Sequence, residues 1–104
     1  MAQFDVHRNT NVATRKFAPY LLDLQHDLLG QLSTRIVAPL LVTSEMPKPV
    51  SRLNPVFEIE GNEVVMSTQE LAGVLRNTLG ERLTSVEHRR GEIIAALDLV
   101  FTGI

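Results

Sequence analysis

"VFEIEGNEVVMS", residues 56–67, reads as two short strands joined by a tight turn. Phe57 and Ile59 alternate with Glu58 and Glu60, and Val64 and Met66 follow beyond Gly61-Asn62. Strand side chains point to opposite faces with a period of two, so this stretch has one apolar and one acidic face. Gly-Asn between two alternating runs is the signature of a hairpin turn. The carboxylates of Glu58, Glu60 and Glu63 then form a solvated face that keeps an edge soluble.

The segments around the hairpin extend the same pattern. "TRIVAPLLV" (34–42) is β-branched and apolar, and "YLLDLQ" (20–25) places Leu22 and Leu24 on one face. Phe4 and Val6 alternate with Gln3, Asp5 and His7, as in a half-buried strand. "RNTNVATRKFAP" (8–19) and the proline-rich "TSEMPKPVSRLNP" (43–55) read as exposed loops, and "HDLLGQLS" (26–33) as a turn eased by Gly30. "QELAG" (69–73) suits a short helical turn, and "VLRNTLGERL" (74–83) one more strand broken near Gly80.

The last element changes period. Thr84 and Glu87 have the spacing of a capping box, and Ile93, Leu97, Val100 and Ile104 then recur at helical intervals. Gly91 inside this helix costs about 1 kcal/mol relative to Ala, which close packing would explain. The expected fold is mainly β with a C-terminal α-helix: antiparallel strands, closed on themselves or covered by the helix, in a single domain over residues 1–104.

Composition narrows the function. The chain has 104 residues, no cysteine and a formal net charge of -2 with basic and acidic residues intermixed. Mixed charge argues against a dedicated nucleic-acid surface, and the missing cysteines suit a reducing cytoplasm. No apolar run approaches the roughly 18–20 residues that span a membrane, and MAQFDVHRNT lacks the pattern of a secretory signal. A cytoplasmic protein is expected.

Chemistry-bearing motifs are absent. His7, His26 and His88 lack metal-ligand spacing, and there is no phosphate-cradling glycine loop or nucleophile elbow. No catalytic, cofactor or metal site is expected, and Asp23 and Asp27, flanking a strand end, are read as structural. Two apolar features remain. Leu28 and Leu29 are adjacent, so in a turn or strand they cannot both point inward, and Phe101–Ile104 closes the chain with no polar tail. Either could be core or a partner surface.

"LLDLQHDLL" (21–29), "RIVAPL" (35–40) and "HRRGEIIAALDLVFTGI" (88–104) together resemble the CcdB family of toxins, and "QFDV" (3–6) and "MSTQELAGV" (66–74) fit the same order. The resemblance implies an SH3-like barrel of antiparallel strands, of the CcdB/MazF/Kid type, forming a homodimer. It implies binding to the A subunit of DNA gyrase, trapping the enzyme on cleaved DNA. It also implies a cognate CcdA-like antitoxin that neutralises the toxin, and contact with operator DNA only through that antitoxin, as co-repressor. The family's gyrase-binding set falls on Leu28, Leu29, Asp98, Phe101, Thr102, Gly103 and Ile104, and the dimer interface on Val100 and Gly103. Thr102 stands where the best-known family pattern has tryptophan, and Asp98 where it has asparagine. The alternatives are a weakly active or inactive homologue, or an endoribonuclease of the related MazF/Kid type, for which Arg35 and His26 are the nearby candidates.

Overall fold

Nine residues, Thr34–Val42, form the longest strand of the computed structural model, which describes Met1–Ile104. In chain order the strands are β1 (Asp5–Asn9), β2 (Tyr20–Asp23), β3 (Thr34–Val42), β4 (Val56–Ile59), β5 (Asn62–Met66), β6 (Ala72–Leu75) and β7 (Leu79–Ser85), followed by helix α1 (Arg90–Thr102). All pairings are antiparallel, in the order β4-β5-β3-β2-β1-β7, with β6 also on β3. The sheet curls into a half-barrel, open between β4 and β7, and α1 packs into its apolar side.

β3 serves two partners along one edge. Its residues Leu40–Val42 pair with β5, whereas Thr34–Val37 pair with β6. Pro39 sits between the two. Its carbonyl accepts from the Ser67 N–H at 2.9 Å, so its nitrogen faces the gap where no strand requires a donor. The opposite edge pairs continuously with β2 from Val37 to Leu40.

The core follows the alternation. Val6, Tyr20, Leu22, Ala38, Leu40, Phe57, Ile59, Val64 and Met66 line one face, closed by Val86 and Ile93. The hairpin is correct in its strands and one residue out in its turn. Ile59 pairs with Asn62, so the two-residue loop is Glu60-Gly61. Both loop residues have positive φ, 54° and 79°, as a type I′ turn requires. Glu60 has no intrinsic preference for that conformation, and its side chain is tied from outside. Arg8 Nη2 donates to it at 2.9 Å and the Tyr20 hydroxyl at 3.1 Å. The Arg8 hydrogen bond holds the Glu60 carboxyl below the usual carboxylate range.

The other face of the sheet holds a buried polar layer that strand periodicity does not reveal. Asp23 and Arg35 are fully buried, with Arg35 Nη2 and Nε at 2.7 and 2.9 Å from Asp23 Oδ2. Gln25 completes the group: its N–H donates to Asp23 Oδ1 at 3.1 Å, its Oε1 accepts from the Ile36 N–H at 3.1 Å, and its Nε2 donates to the Leu29 carbonyl at 2.8 Å. The structural reading of Asp23 and Asp27 holds, since Asp27 Oδ1 accepts from the Gln3 N–H at 2.9 Å. β1 is buried on both faces rather than half-buried. Asp5 meets Arg82 at 3.1 Å and His7 Nδ1 lies 3.1 Å from the Gly80 carbonyl, both on β7, which pairs with the edge of β1 through two register shifts.

Several expectations from the C-terminal half need correction. Residues 74–83 are not one strand: β6 and β7 are separated by a 3₁₀ turn at Arg76–Thr78, and the short turn before β6 is Thr68–Glu70. Thr84 caps no helix. It belongs to β7 opposite Val6, and Glu87 opens a 3₁₀ turn, so tertiary pairing overrides the local capping pattern. Gly91 makes no close approach; the tight position is Gly80, where a Cβ would lie 2.6 Å from the Arg8 carbonyl oxygen. The 43–55 segment is not wholly exposed either, because Asn54 and Pro55 are buried.

Removing one member of a buried ion pair leaves the other uncompensated, typically costing about 3–5 kcal/mol. Arg35→Met should therefore destabilise strongly in urea unfolding, and the double variant Asp23→Leu/Arg35→Met should recover part of the loss. A double variant as unstable as the sum of its singles would refute this account.

Candidate functional site

Helix α1 is held at its start by one arginine. The Arg89 guanidinium stacks 4.3 Å from the centre of the Phe57 ring and donates through Nη1 to the Val56 carbonyl at 2.8 Å. Its other nitrogens bind Glu92 at 2.7 and 3.0 Å. The hydrogen bond from Arg89 keeps the Glu92 carboxyl below its ordinary range. Ile93 and Ala96 are the buried residues of the helix, and Ile94 and Leu97 pack at the margin of the core. The helical spacing read from Ile93 and Leu97 is therefore real, although the helix begins later than its sequence signals suggest.

The far end of α1 turns outward. Leu99 and Val100 are half-buried, while Asp98, Phe101 and Thr102 are exposed. The Thr102 hydroxyl donates back to the Asp98 carbonyl at 2.7 Å. Gly103 adopts φ 77°, and its N–H donates to the Leu99 carbonyl at 3.0 Å, an αL cap that stops the helix. Ile104 thus leaves the helical path and is not a further helical core position. Phe101 and Ile104 are 72% and 80% exposed, so neither fills the core.

Leu28 and Leu29 occupy a 3₁₀ turn, Asp27–Leu29, after β2. His26 Nδ1 accepts from the Leu28 N–H at 3.0 Å, and the Leu29 carbonyl is held by Gln25. This fixes the backbone and turns both side chains out, leaving Leu28 87% and Leu29 51% exposed. With Leu32 and Gln31 they border a surface depression of about 310 Å³. Both leucines are exposed, where the sequence required only one to be. Asp98, Val100, Phe101, Thr102, Gly103 and Ile104 stand together around one helix end, while the leucine turn lies on a separate element with no hydrogen bond between the two groups.

The remaining candidates have structural work. Arg35 is fully buried against Asp23, out of reach of any RNA phosphate, and His26 caps the leucine turn. Sequence reasoning missed Arg89, Arg52 and Asn54. None lies on an apolar period, and each acts on main-chain oxygens distant in sequence, which leave no local signature.

Residues 3–103 match the family described as CcdB protein. The chain belongs to the CcdB family. Its fold is also that of several solved toxin structures. An endoribonuclease from a mycobacterial species, solved in complex with its cognate antitoxin, superposes with a TM-score of 0.77 at 12% identity, covering 96% of this chain and 93% of that one. The Mycobacterium tuberculosis toxin MazF-mt6 gives 0.74 at 15% identity, covering 93% and 95%. At such identities the likeness is one of fold, and it bears out the CcdB/MazF-type architecture read from the sequence. No helix is long and apolar enough to cross a membrane.

Exposed substitutions away from special features usually change stability by less than about 0.5 kcal/mol. Leu28→Asp and Leu29→Asp should therefore leave the melting temperature of this CcdB-family protein nearly unchanged. A large drop in thermal melting for either would place that leucine in a buried contact.

Proposed function

We propose that this chain is the toxin of a type II toxin–antitoxin pair that binds the A subunit of DNA gyrase and traps it on cleaved DNA. The observation that carries this reading is the exposure of Phe101 and Ile104 around a capped helix end, with Leu28 and Leu29 on a second rigid turn. Large apolar side chains held on ordered backbone and left uncovered suit a partner surface. The same set of Leu28, Leu29, Asp98, Phe101, Thr102, Gly103 and Ile104 supplies no paired acid and base, so its role is to bind while gyrase performs the DNA cleavage. Thr102 offers no ring, and its hydroxyl is turned back on Asp98. The contact is accordingly weaker than one made with tryptophan.

The working form is a homodimer, with the half-buried Val100 and the neighbouring Gly103 covered by a second copy. A cognate CcdA-like antitoxin neutralises the toxin in the cytoplasm and joins it as co-repressor on operator DNA. Family membership and the antitoxin-bound fold neighbour support that partnership. The endoribonuclease reading draws on the same fold neighbours, but its candidates Arg35 and His26 are engaged elsewhere.

The deciding experiment measures trapped, cleaved plasmid with purified gyrase alongside RNA cleavage by the same preparation. Gyrase-dependent cleaved complexes are expected; RNA cleavage without them would overturn the proposal. Deleting Thr102-Gly103-Ile104 should abolish trapping while the melting temperature holds. Loss of a core isoleucine would instead cost roughly 2–4 kcal/mol. Thr102→Trp should strengthen trapping, a cation–π contact being worth about 0.5–2 kcal/mol. Sedimentation at micromolar concentration should show a dimer; an 11.6 kDa species alone would contradict it.

A further inference from the structure

Ile104 lies beyond the αL cap, where no helical hydrogen bond holds it, yet its main-chain oxygen is not free. Arg52 Nη2 donates to it at 2.9 Å. Arg52 itself has φ 70°, a conformation that side chains with a Cβ rarely adopt and that persists only where the surroundings impose it.

Those surroundings are well defined. The N–H groups of Leu53 and Asn54 both donate to the Val50 carbonyl, at 3.1 and 2.9 Å, and the Val50 N–H donates to Asn54 Oδ1 at 3.0 Å. The buried Asn54 amide then reaches the Met66 carbonyl at 3.1 Å and Gln69 Oε1 at 2.9 Å. The Thr68 hydroxyl donates to the Leu53 carbonyl. The 50–54 turn is therefore pegged to the end of β5, and its strained residue is the one whose side chain meets Ile104. A few residues on, the Val56 carbonyl receives Arg89, so one short stretch grips both ends of α1.

We infer that Arg52 is a positioning residue for the partner surface: it fixes the backbone of Ile104 so that the exposed side chains of Phe101 and Ile104 are presented in one geometry. This rests on the gyrase reading above. A segment ordered before binding does not lose its freedom on binding, so the benefit appears in affinity rather than in global stability. An exposed single contact of this kind contributes little to folding.

The test uses the full chain with Arg52→Asn, Arg52→Gly and Arg52→Lys. Asn and Gly accept the positive φ without reaching Ile104, and Lys keeps a donor of similar length. Heteronuclear 15N NOEs of Gly103 and Ile104 should collapse in the Asn and Gly variants and be largely retained in Lys. Affinity for a gyrase A fragment should fall roughly five- to thirtyfold in the first two, the cost of ordering about one residue's backbone. The melting temperature should hold in Arg52→Lys and should not fall in Arg52→Asn or Arg52→Gly, which relieve the positive φ. Unchanged NOEs in Arg52→Asn, or collapsed NOEs with unchanged affinity, would overturn the inference. Absence of binding by the unaltered chain refutes the gyrase reading instead, and the NOE difference alone then decides whether Arg52 holds Ile104.

Discussion

β3 gives one edge to β2 and divides the other between β5 and β6, and the architecture depends on that division. The Leu24 N–H donates to the Ile36 carbonyl and the Val42 N–H to that of Phe17, so the even-numbered residues of β3 face the β2 side. The odd-numbered residues face the shared edge. A strand whose edge passes from one partner to another cannot remain in a flat sheet, because its two partners diverge. β5, with β4, curls one way to form the floor beneath α1, while β6 leads through β7 back to β1. Pro39 marks the junction at the one place where a missing donor is tolerated.

The curl produces two buried faces of different chemistry. The face under α1 is aliphatic and aromatic. The face toward β6 and β7 encloses Asp5, His7, Asp23, Gln25 and Arg35. Asp23, Arg35 and Gln25 are joined there by directional bonds, and Gln25 carries them to the leucine turn, while His7 Nε2 and Arg35 Nη1 stay buried without a partner. The polar layer therefore shapes the surface: it sets the backbone from which Leu28 and Leu29 project.

The helix end obeys the same logic. Arg89 and Arg52 act on main-chain oxygens at the two ends of the β4 approach and of α1, and Gly103 terminates the helix. The result is an apolar surface of Phe101 and Ile104 carried on hydrogen-bonded backbone. Without those anchors Ile104 would be a frayed residue with no defined direction.

Wherever a local rule governs, the sequence was sufficient. Alternation in 56–67 marks both strands of the hairpin, Leu22 and Leu24 share the core face, and Ile93 and Leu97 lie on the packed side of the helix. Adjacency alone showed that Leu28 and Leu29 could not both be core. The misreadings share one cause. Thr84 and Glu87 have capping spacing, but pairing with Val6 draws Thr84 into β7; Gly80 is tight only because β1 passes beside it; Glu60 accepts positive φ because Arg8 and Tyr20 hold its carboxylate. The sequence by itself determined the strand faces, the closing helix and the family resemblance, because side-chain periodicity and residue order are properties of the chain. Only the tertiary structure decided the ion pair of Asp23 with Arg35, the peg at Asn54 and the hold of Arg52 on Ile104, because each joins groups whose proximity exists only after the sheet has curled.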